Sequence, residues 1–235
     1  MLLRHGQSES NSRNLFTGWS DVDLTEQGRA EARDAAVLLR SAGVLFDVAF
    51  TSWLRRADQT LQIVMEGMGL QGVPVHRSWR LNERHYGQLQ GLEKRATAAR
   101  HGADQVQQWR RSFRAPPPPV EPGDERHPRH DPQYAVLDPA LLPASESLQD
   151  TLDRVGLCWR ESIVPELMAG RTVLVAAHGN SLRSIVNLVD NLDEEQTADF
   201  GIPTAIPLVY ELDDSLAPLS RRFLGSREEA DWTGA

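Results

Sequence analysis

The sequence predicts an α/β fold: a single three-layer domain over residues 1–235, with a mostly parallel central sheet flanked by helices. The continuous apolar run 172–177 is typical of a strand buried on both faces of a parallel sheet. A shorter apolar run, 1–3, opens the chain, and both runs lead into a histidine followed by glycine. Segments of helical periodicity lie between the predicted strands, and a long proline-rich segment is inserted at about residues 87–145.

The first strand is followed by Arg4-His5-Gly6, which puts His5 at the carboxyl edge of the sheet, where open α/β folds bind ligands. Gly6 allows a sharp turn and a close ligand approach, and Arg4 offers a planar set of donors suited to phosphate oxygens. A histidine beside such a cation is held neutral and nucleophilic. This pattern alone is weak, because most histidines are structural.

A second strand further along the chain also ends in a histidine followed by glycine, which strengthens this weak pattern. His178-Gly179-Asn180 follows the run 172–177, and residues 182–188 predict a helix. Two unrelated turns with solvated histidines are the alternative. Two strand-end His-Gly pairs in one chain favour a shared site instead.

The elements between these edges follow in order. Thr25 is a suitable N-cap for a helix that runs to Arg40, and residues 48–50 predict the next strand. A second helix is expected from Leu54, and residues 73–76 predict an edge strand because they contain a proline. The segment 94–113 predicts a further polar helix, in which Trp109 and Phe113 would be buried together.

Arg55 and Arg56 stand in the first turn of the second predicted helix. Cations at a helix N-terminus oppose the helix dipole, so a bound anion would explain them. The alternative is that at least one of them pairs with a surface carboxylate. Because neighbouring helical residues diverge by about 100°, only one of the two should face the site.

Two loops carry further candidate residues. Thr17 and Gly18 can offer backbone N–H groups to an anion, although a plain surface loop explains them equally well. The stretch 81–87 is dense in titratable groups and has no amphipathic period, which is typical of active-site loops. Within it, Glu83 is either part of a structural ion pair or the general acid/base that a histidine nucleophile needs.

Residues 115–144 contain nine of the 14 prolines and cannot form a regular element. A disordered linker is the alternative, but we expect an ordered loop because the second half of the sheet follows it. Ser147 and Asp150 then begin a helix that Pro165 bends or ends, and two final strands are predicted at 208–212 and 222–224.

Composition narrows the class of protein. A net charge of −8 argues against a general nucleic-acid binder, and no apolar run approaches the roughly 18 residues of a membrane span. The single cysteine, Cys158, excludes an internal disulfide, and no targeting segment is visible, so we expect a cytoplasmic protein. Of the 25 basic residues only Lys94 is a lysine, which hints that a small anion is held there by a point charge. No metal-ligand spacing is present, which predicts metal independence.

Several stretches taken together form a recognisable pattern: Arg4-His5-Gly6, Ser8, Asn11, 16–24, 81–91, 108–111, 131–135, 178–183 and 202–204. In these stretches nearly the whole chain resembles the cofactor-dependent phosphoglycerate mutases of the histidine phosphatase superfamily. Arg-His-Gly by itself indicates only the superfamily, whereas the block around Glu83, Lys94 and the paired arginines is specific to the mutases and their bisphosphoglycerate mutase relatives.

The resemblance implies a role for each matching residue. His5 would be the nucleophile that becomes phosphohistidine, and Glu83 would exchange a proton with the substrate hydroxyl. Arg4, Arg56 and His178 would hold the transferring phosphoryl group. Asn11, Gly179 and Asn180 would lie beside it, and the substrate's carboxylate and second phosphate would be bound by Thr17, Gly18, Arg84, Tyr86, Lys94, Arg110 and Arg111.

The activity so implied interconverts 3- and 2-phosphoglycerate, primed by 2,3-bisphosphoglycerate and without a metal, in a homodimer or homotetramer that acts on small phosphorylated three-carbon acids. The alternatives are a phosphatase or bisphosphoglycerate synthase/phosphatase on the same histidine, and a non-catalytic phosphate-binding module. The chain also departs from the family: three residues precede Arg4, Ala205 replaces a more usual glycine, and the end at 232–235 lacks a longer basic tail, which bears on closure of the site.

Overall fold

The computed structural model describes residues 1–225 and contains a six-stranded sheet in the order β3-β2-β4-β1-β5-β6. The first four strands in this order run parallel to one another. β5 pairs antiparallel with both β1 and β6, so β5 is the one reversed strand of this sheet in residues 1–225, and the prediction of a mostly parallel α/β sheet is confirmed. The strands are β1 (Leu2–Arg4), β2 (Val48–Thr51), β3 (Val75–Arg77), β4 (Val173–Ala177), β5 (Leu208–Leu212) and β6 (Pro218–Phe223).

Nine α-helices accompany the sheet within the described residues. They are α1 (Glu9–Ser12), α2 (Glu26–Ser41), α3 (Arg55–Met68), α4 (Lys94–His101), α5 (Ala103–Arg111), α6 (Leu148–Cys158), α7 (Val164–Met168), α8 (Gly179–Asp190) and α9 (Glu194–Asp199). No helix within residues 1–225 is both long enough and apolar enough to cross a bilayer.

Alternation along the strands builds two separate cores, one on each face of the sheet. Val173 and Val175 of β4 pack into a core with residues of α6 and α8, such as Val155 and Ile185. Leu174, which lies between the two valines, packs into the opposite core with residues of α2 and α3. Helices therefore cover both faces, which is the predicted three-layer arrangement.

Helix ends follow the sequence signals closely. The Thr25 hydroxyl accepts a hydrogen bond from the Gly28 amide, and Ser147 forms a reciprocal capping box with Asp150. Pro165 does not end its helix. A single π-turn at Trp159–Ile163 precedes it and joins α6 to α7. Because proline has no backbone N–H to donate, this turn allows Pro165 to stand within a continuous helical segment.

The predicted helix 94–113 is wrong in detail. Gly102, at φ +88°, separates α4 from α5. The chain is extended from Ser112 onward, so Phe113 is not on the same helix as Trp109, and the expected i, i+4 pairing on one helix is absent.

The proline-rich segment forms three short 3₁₀ turns, at Pro128–His130, Pro132–Tyr134 and Pro139–Leu141. It is tied to the sheet domain, since the Gln88 amide donates to the Pro118 carbonyl and the Tyr134 ring lies 4.9 Å from that of Trp19. These contacts are those of an ordered loop. The assignment of the whole chain to one domain stays a prediction, and the end at 232–235 lies outside the described residues.

Candidate active site

The two histidines meet because β1 and β4 are adjacent and parallel. Arg4 pairs with Ala177 in the register, so the residue after each strand lies at the same edge of the sheet. The ring centroids of His5 and His178 are 5.1 Å apart, and both side chains are buried.

The ring of His5 is held in one tautomer. Its Nδ1 lies 2.7 Å from the Gly6 carbonyl oxygen, which can only accept, so Nδ1 carries the hydrogen and Nε2 has the free lone pair. The Nε–H of Arg56 donates to this Nε2 at 3.3 Å. Burial, with the charges of Arg56 and Arg4, lowers the pKa of His5 well below its ordinary value. The ring is therefore neutral at pH 7, as a nitrogen nucleophile must be.

Gly6 is needed for close packing. A Cβ at this position would lie 2.2 Å from the carbonyl oxygen of Gly28, at the start of α2. The Gly6 amide also donates to the Thr60 hydroxyl on α3. The turn after His5 is thus fixed between two helices.

Of the adjacent arginines on α3, only Arg56 faces the site. It is buried, and its two terminal nitrogens donate to the carbonyls of Ser20 and Gly18. Arg55 is exposed and pairs with Asp21 and Asp23. The pairing with a surface carboxylate, expected for at least one of the two, therefore holds for Arg55, while Arg56 is the residue that faces His5.

Arg4 supplies a second cation. One of its terminal nitrogens donates to the Ile202 carbonyl, while its buried Nε has no partner within residues 1–225. A Cβ at Gly179 would lie 3.8 Å from this Nε. A buried donor without a partner destabilises the folded protein when no ligand is bound, and it can donate a hydrogen bond to an anion that binds there.

His178 is anchored by a residue that the sequence did not identify. Its Nε2 shares a hydrogen bond of 2.7 Å with the hydroxyl of Ser52, and its Nδ1 has no partner among the described residues. Burial, followed by the charge of Arg56, lowers the pKa of His178 well below its ordinary value. The polar end of the strand at Thr51-Ser52 was the available signal.

Glu83 lies in the same pocket, and its Oε1 accepts three hydrogen bonds. The donors are the Arg84 amide at 2.8 Å, the Asn180 amide at 3.1 Å and the Asn180 side chain at 2.9 Å. Burial by itself would raise the pKa of Glu83, but these donors and the charges of Arg56 and Arg4 hold it below its ordinary value. The carboxylate is therefore ionised and ready to accept a proton.

Arg84 and Tyr86, two of the predicted binding residues, are in contact. Arg84 is fully buried, and its guanidinium lies 4.7 Å from the ring centroid of Tyr86. One of its terminal nitrogens donates to the Arg110 carbonyl, and its Nε has no partner within the described chain. Lys94 and Arg110 line a separate cavity of about 800 Å³, which among the described residues is lined by neither Arg84 nor Tyr86.

The remaining predicted binding residues already make hydrogen bonds within the protein. The side-chain oxygen of Asn11 accepts from the amide and the hydroxyl of Ser8, which leaves its amino group for a ligand. Gly18 has φ +56°, which favours glycine, and its carbonyl accepts from Arg56. The Thr17 carbonyl closes a turn with Ser20, and Arg111 donates to the Ala198 carbonyl next to the site.

Comparisons with known proteins show the family to which the chain belongs. The model of the histidine phosphatase superfamily, branch 1, matches residues 1–221. The chain belongs to this superfamily. Curated proteins named 2,3-bisphosphoglycerate-dependent phosphoglycerate mutase, from Nitratidesulfovibrio vulgaris strains Hildenborough and Miyazaki F, are each 55% identical over 231 residues. These residues are 98% of this chain and 92% and 93% of the relatives.

Solved structures support the same fold. A mycobacterial glucosyl-3-phosphoglycerate phosphatase has a TM-score of 0.65 at 24% identity, covering 94% of each chain. The alpha-ribazole phosphatase of Shigella flexneri has a TM-score of 0.66 at 22% identity, covering 96% of this chain and 95% of that one. The chain therefore has the same α/β fold as these solved structures.

Sequence reasoning also missed a buried ion pair that holds the Glu83 loop of this histidine phosphatase. Arg154 on α6 binds both carboxylate oxygens of Glu146, at 2.6 and 2.9 Å. The same guanidinium donates to the main-chain carbonyls of Arg80, Asn82 and Glu83. Glu146 in turn accepts from the His85 amide. No local periodicity signals such a contact, because its members are far apart in the chain.

The change Arg154→Met is expected to lower the free energy of unfolding by about 3–5 kcal/mol, because it leaves the Glu146 carboxylate buried without its partner. Urea unfolding followed by circular dichroism measures the loss. The matched control is Arg114→Met, which breaks an exposed pair with Glu194 and should cost about 0–1 kcal/mol. Equal losses of unfolding free energy in the two variants would contradict the proposal that Arg154 and Glu146 hold the Glu83 loop in place.

Three buried neutral histidines predict that this histidine phosphatase is destabilised by mild acid. The pKa values of His5 and His178 are well below the ordinary value, and burial lowers that of His85 to about 3. The unfolded chain binds these protons near pH 6.5 and the folded chain does not, so stability falls as pH drops below about 6.5. The free energy of unfolding is expected to fall by about 4 kcal/mol per pH unit for the three histidines together, or about 1.4 kcal/mol per pH unit for each.

Urea unfolding at pH 7.5, 6.5 and 5.5 checks this slope. His85→Gln should reduce it by about 1.4 kcal/mol per pH unit. The exposed His101, changed to Gln, serves as the control and should leave the slope as it is. An unchanged slope in His85→Gln would show that His85 is protonated in the folded protein.

Proposed function

We propose that the protein interconverts 3-phosphoglycerate and 2-phosphoglycerate through a phosphohistidine at His5. The observation that carries this proposal is the joint geometry of nucleophile and carboxylate. Nε2 of His5 presents its lone pair beside Arg56. The ionised Glu83 is hydrogen-bonded to Asn180 and, like Arg4, lies against the turn at Gly179 that follows β4. The relatives that are 55% identical over 98% of the chain carry the name of this activity.

In the first half of the reaction, the free hydroxyl of 3-phosphoglycerate attacks the phosphorus on phosphorylated His5, and the bond from phosphorus to Nε2 breaks. The hydroxyl proton passes to the ionised Glu83, and Nε2 keeps the electron pair of the broken bond. Arg4 and Arg56 stabilise the negative charge on the phosphoryl oxygens, and the His178 ring, whose centroid is 5.1 Å from that of His5, lies next to them.

In the second half, Nε2 of His5 attacks the other phosphorus of the resulting bisphosphorylated acid, and the bond from that phosphorus to its ester oxygen breaks. The leaving oxygen takes the proton back from Glu83, so the carboxylate and the phosphohistidine end each cycle as they began. A dianionic phosphoryl group partly neutralises Arg4 and Arg56, which otherwise hold the pKa of Glu83 down. Substrate binding thereby helps Glu83 to keep a proton.

The pocket also fits a ligand with two anionic ends. Buried Nε atoms of Arg4 and Arg84, unpartnered within residues 1–225, offer two separate donors, and Lys94 adds a cation at the cavity. Priming by 2,3-bisphosphoglycerate would supply the first phosphoryl group for His5. We assign the surroundings of the transferring phosphoryl group to Asn11, Gly179 and Asn180. We assign the substrate's carboxylate and second phosphate to Thr17, Gly18, Arg84, Tyr86, Lys94, Arg110 and Arg111.

We further propose that the enzyme is cytoplasmic, works without a metal and forms a homodimer or homotetramer. No cluster of three or more His, Cys, Asp or Glu side chains with metal-binding geometry occurs within residues 1–225. Sedimentation velocity measures the oligomeric state, and a monomer at micromolar concentration would overturn that part of the proposal.

Phosphorus NMR of 3-phosphoglycerate in the presence of EDTA tests the function. The expected result is 2-phosphoglycerate, formed only when catalytic 2,3-bisphosphoglycerate is added. Release of inorganic phosphate without 2-phosphoglycerate would favour the phosphatase alternative, in which water attacks the phosphohistidine. Binding without turnover would favour the non-catalytic module.

A further inference from the structure

Arg183, on α8 next to the candidate site, has no role assigned by the mechanism above. Its Nε donates to the Phe200 carbonyl at 2.6 Å, and its Nη1 donates to the side-chain oxygen of Asn180 at 3.2 Å. The two residues are three positions apart, so they lie on the same face of the helix. Because the guanidinium is planar and bound at two points, its position is well defined.

This contact fixes the orientation of the Asn180 amide. With Oδ1 turned toward Arg183, Nδ2 is directed at Oε1 of Glu83, 2.9 Å away, and at the Tyr86 hydroxyl, 3.2 Å away. A flipped amide would set oxygen against the carboxylate of Glu83 and an amino group against the guanidinium of Arg183. Both contacts would then be repulsive.

The orientation makes the two oxygens of Glu83 chemically different. Oε1 accepts from the Arg84 amide and twice from Asn180, whereas no hydrogen bond reaches Oε2 within the described chain. A Cβ at Gly179 would lie 3.7 Å from Oε2, so this oxygen faces the turn that follows β4. Oε2 is thus the oxygen that is free to exchange a proton.

We propose that Arg183 is a positioning residue that acts through Asn180. Arg183 fixes the orientation of the Asn180 side-chain amide, so that Nδ2 donates to Oε1 of Glu83 and Oε2 remains available to the substrate hydroxyl. This inference rests on the proposed acid/base role of Glu83. The charged and titratable groups around Glu83 are Arg4 on β1, Arg56 on α3, Lys94 on α4, Arg84 and Tyr86 on its own loop, and Arg183 itself.

The competing explanation is that Arg183 acts on Glu83 directly, as a nearby positive charge. A double-mutant cycle separates the two explanations, because an effect transmitted through Asn180 disappears when the amide is removed, whereas a direct charge effect remains. The four proteins required are the wild type, Arg183→Met, Asn180→Ala and the double variant.

The readout is the pKa of Glu83 in the full-length protein without substrate, from carbon-13 NMR of labelled glutamate carboxyl groups, with Glu83→Gln to assign the signal. Since no turnover is needed, the measurement works whether or not the protein is a mutase. Arg183→Met is expected to raise the pKa of Glu83 by about one unit in the wild-type background. In the Asn180→Ala background the same change should have a several-fold smaller effect.

Arg171→Met is the matched control. It also removes one positive charge, but from an exposed pair with Glu166, and should leave the pKa of Glu83 unchanged. Should Arg183→Met fail to fold, Arg183→Lys keeps the charge without the planar fork and goes through the same cycle, with the same loss of effect expected in Asn180→Ala. Equal shifts in both backgrounds, or no shift in either, would overturn the proposal.

Discussion

His5→Ala is expected to abolish phosphoryl transfer, with a loss of activity on the order of 10⁴-fold or more. The reason is that the variant lacks the neutral Nε2 to which phosphorus bonds, while Arg4 and Arg56 remain to bind the anion. The conversion of 3-phosphoglycerate measures the loss. Incubation with labelled 2,3-bisphosphoglycerate, followed by detection of acid-labile protein-bound phosphate, shows whether the phosphoenzyme forms.

The control for this variant is His101→Ala, which removes an exposed imidazole from α4 and should leave the activity near the wild-type value. The thermal unfolding of both variants is compared, because a buried side chain is removed in one of them and an exposed one in the other. Labelled protein in His5→Ala at the wild-type level would show that another residue is the nucleophile.

Glu83→Gln is expected to lower kcat by about 10²–10⁴-fold with little change in KM, since an amide cannot exchange a proton with the substrate hydroxyl. The substitution preserves the shape of the side chain. The glutamine oxygen can still accept from Arg84 and Asn180 in the position of Oε1, so its amino group would stand where Oε2 is now.

Steady-state kinetics with both substrates and a pH profile of kcat measure this effect. In the wild type the acidic limb of the profile should report Glu83, and in Glu83→Gln that limb should be missing. Glu66→Gln, which changes an exposed carboxylate on α3, is the control. A rise in KM with kcat unchanged would instead make Glu83 a binding residue.

The sequence was informative wherever the structure depends on local pattern. The apolar run 172–177 and the polar residues after it predicted both a buried parallel strand and the edge at which His178 appears. The predicted separation of Arg55 and Arg56 onto different sides of α3 also holds, because it follows from helix geometry alone.

Local pattern was less informative where an element could break at more than one place. Between Lys94 and Phe113 the polar periodicity suits either one helix or two. The left-handed backbone at Gly102 and the extended backbone at Ser112 decide the outcome. Ala205 takes a left-handed φ of 53° although it is not glycine, and its amide donates to the Arg4 carbonyl.

What the sequence by itself determined, then, is the α/β class, the sheet edge that carries the two histidines and the residue types gathered there. Only the tertiary structure decided how those residues are held: Ser52 on His178, Arg154 under the Glu83 loop, and Arg183 behind Asn180. The physical reason is that strand and helix patterns come from neighbours in the chain. A hydrogen bond between distant residues instead depends on how the finished elements pack.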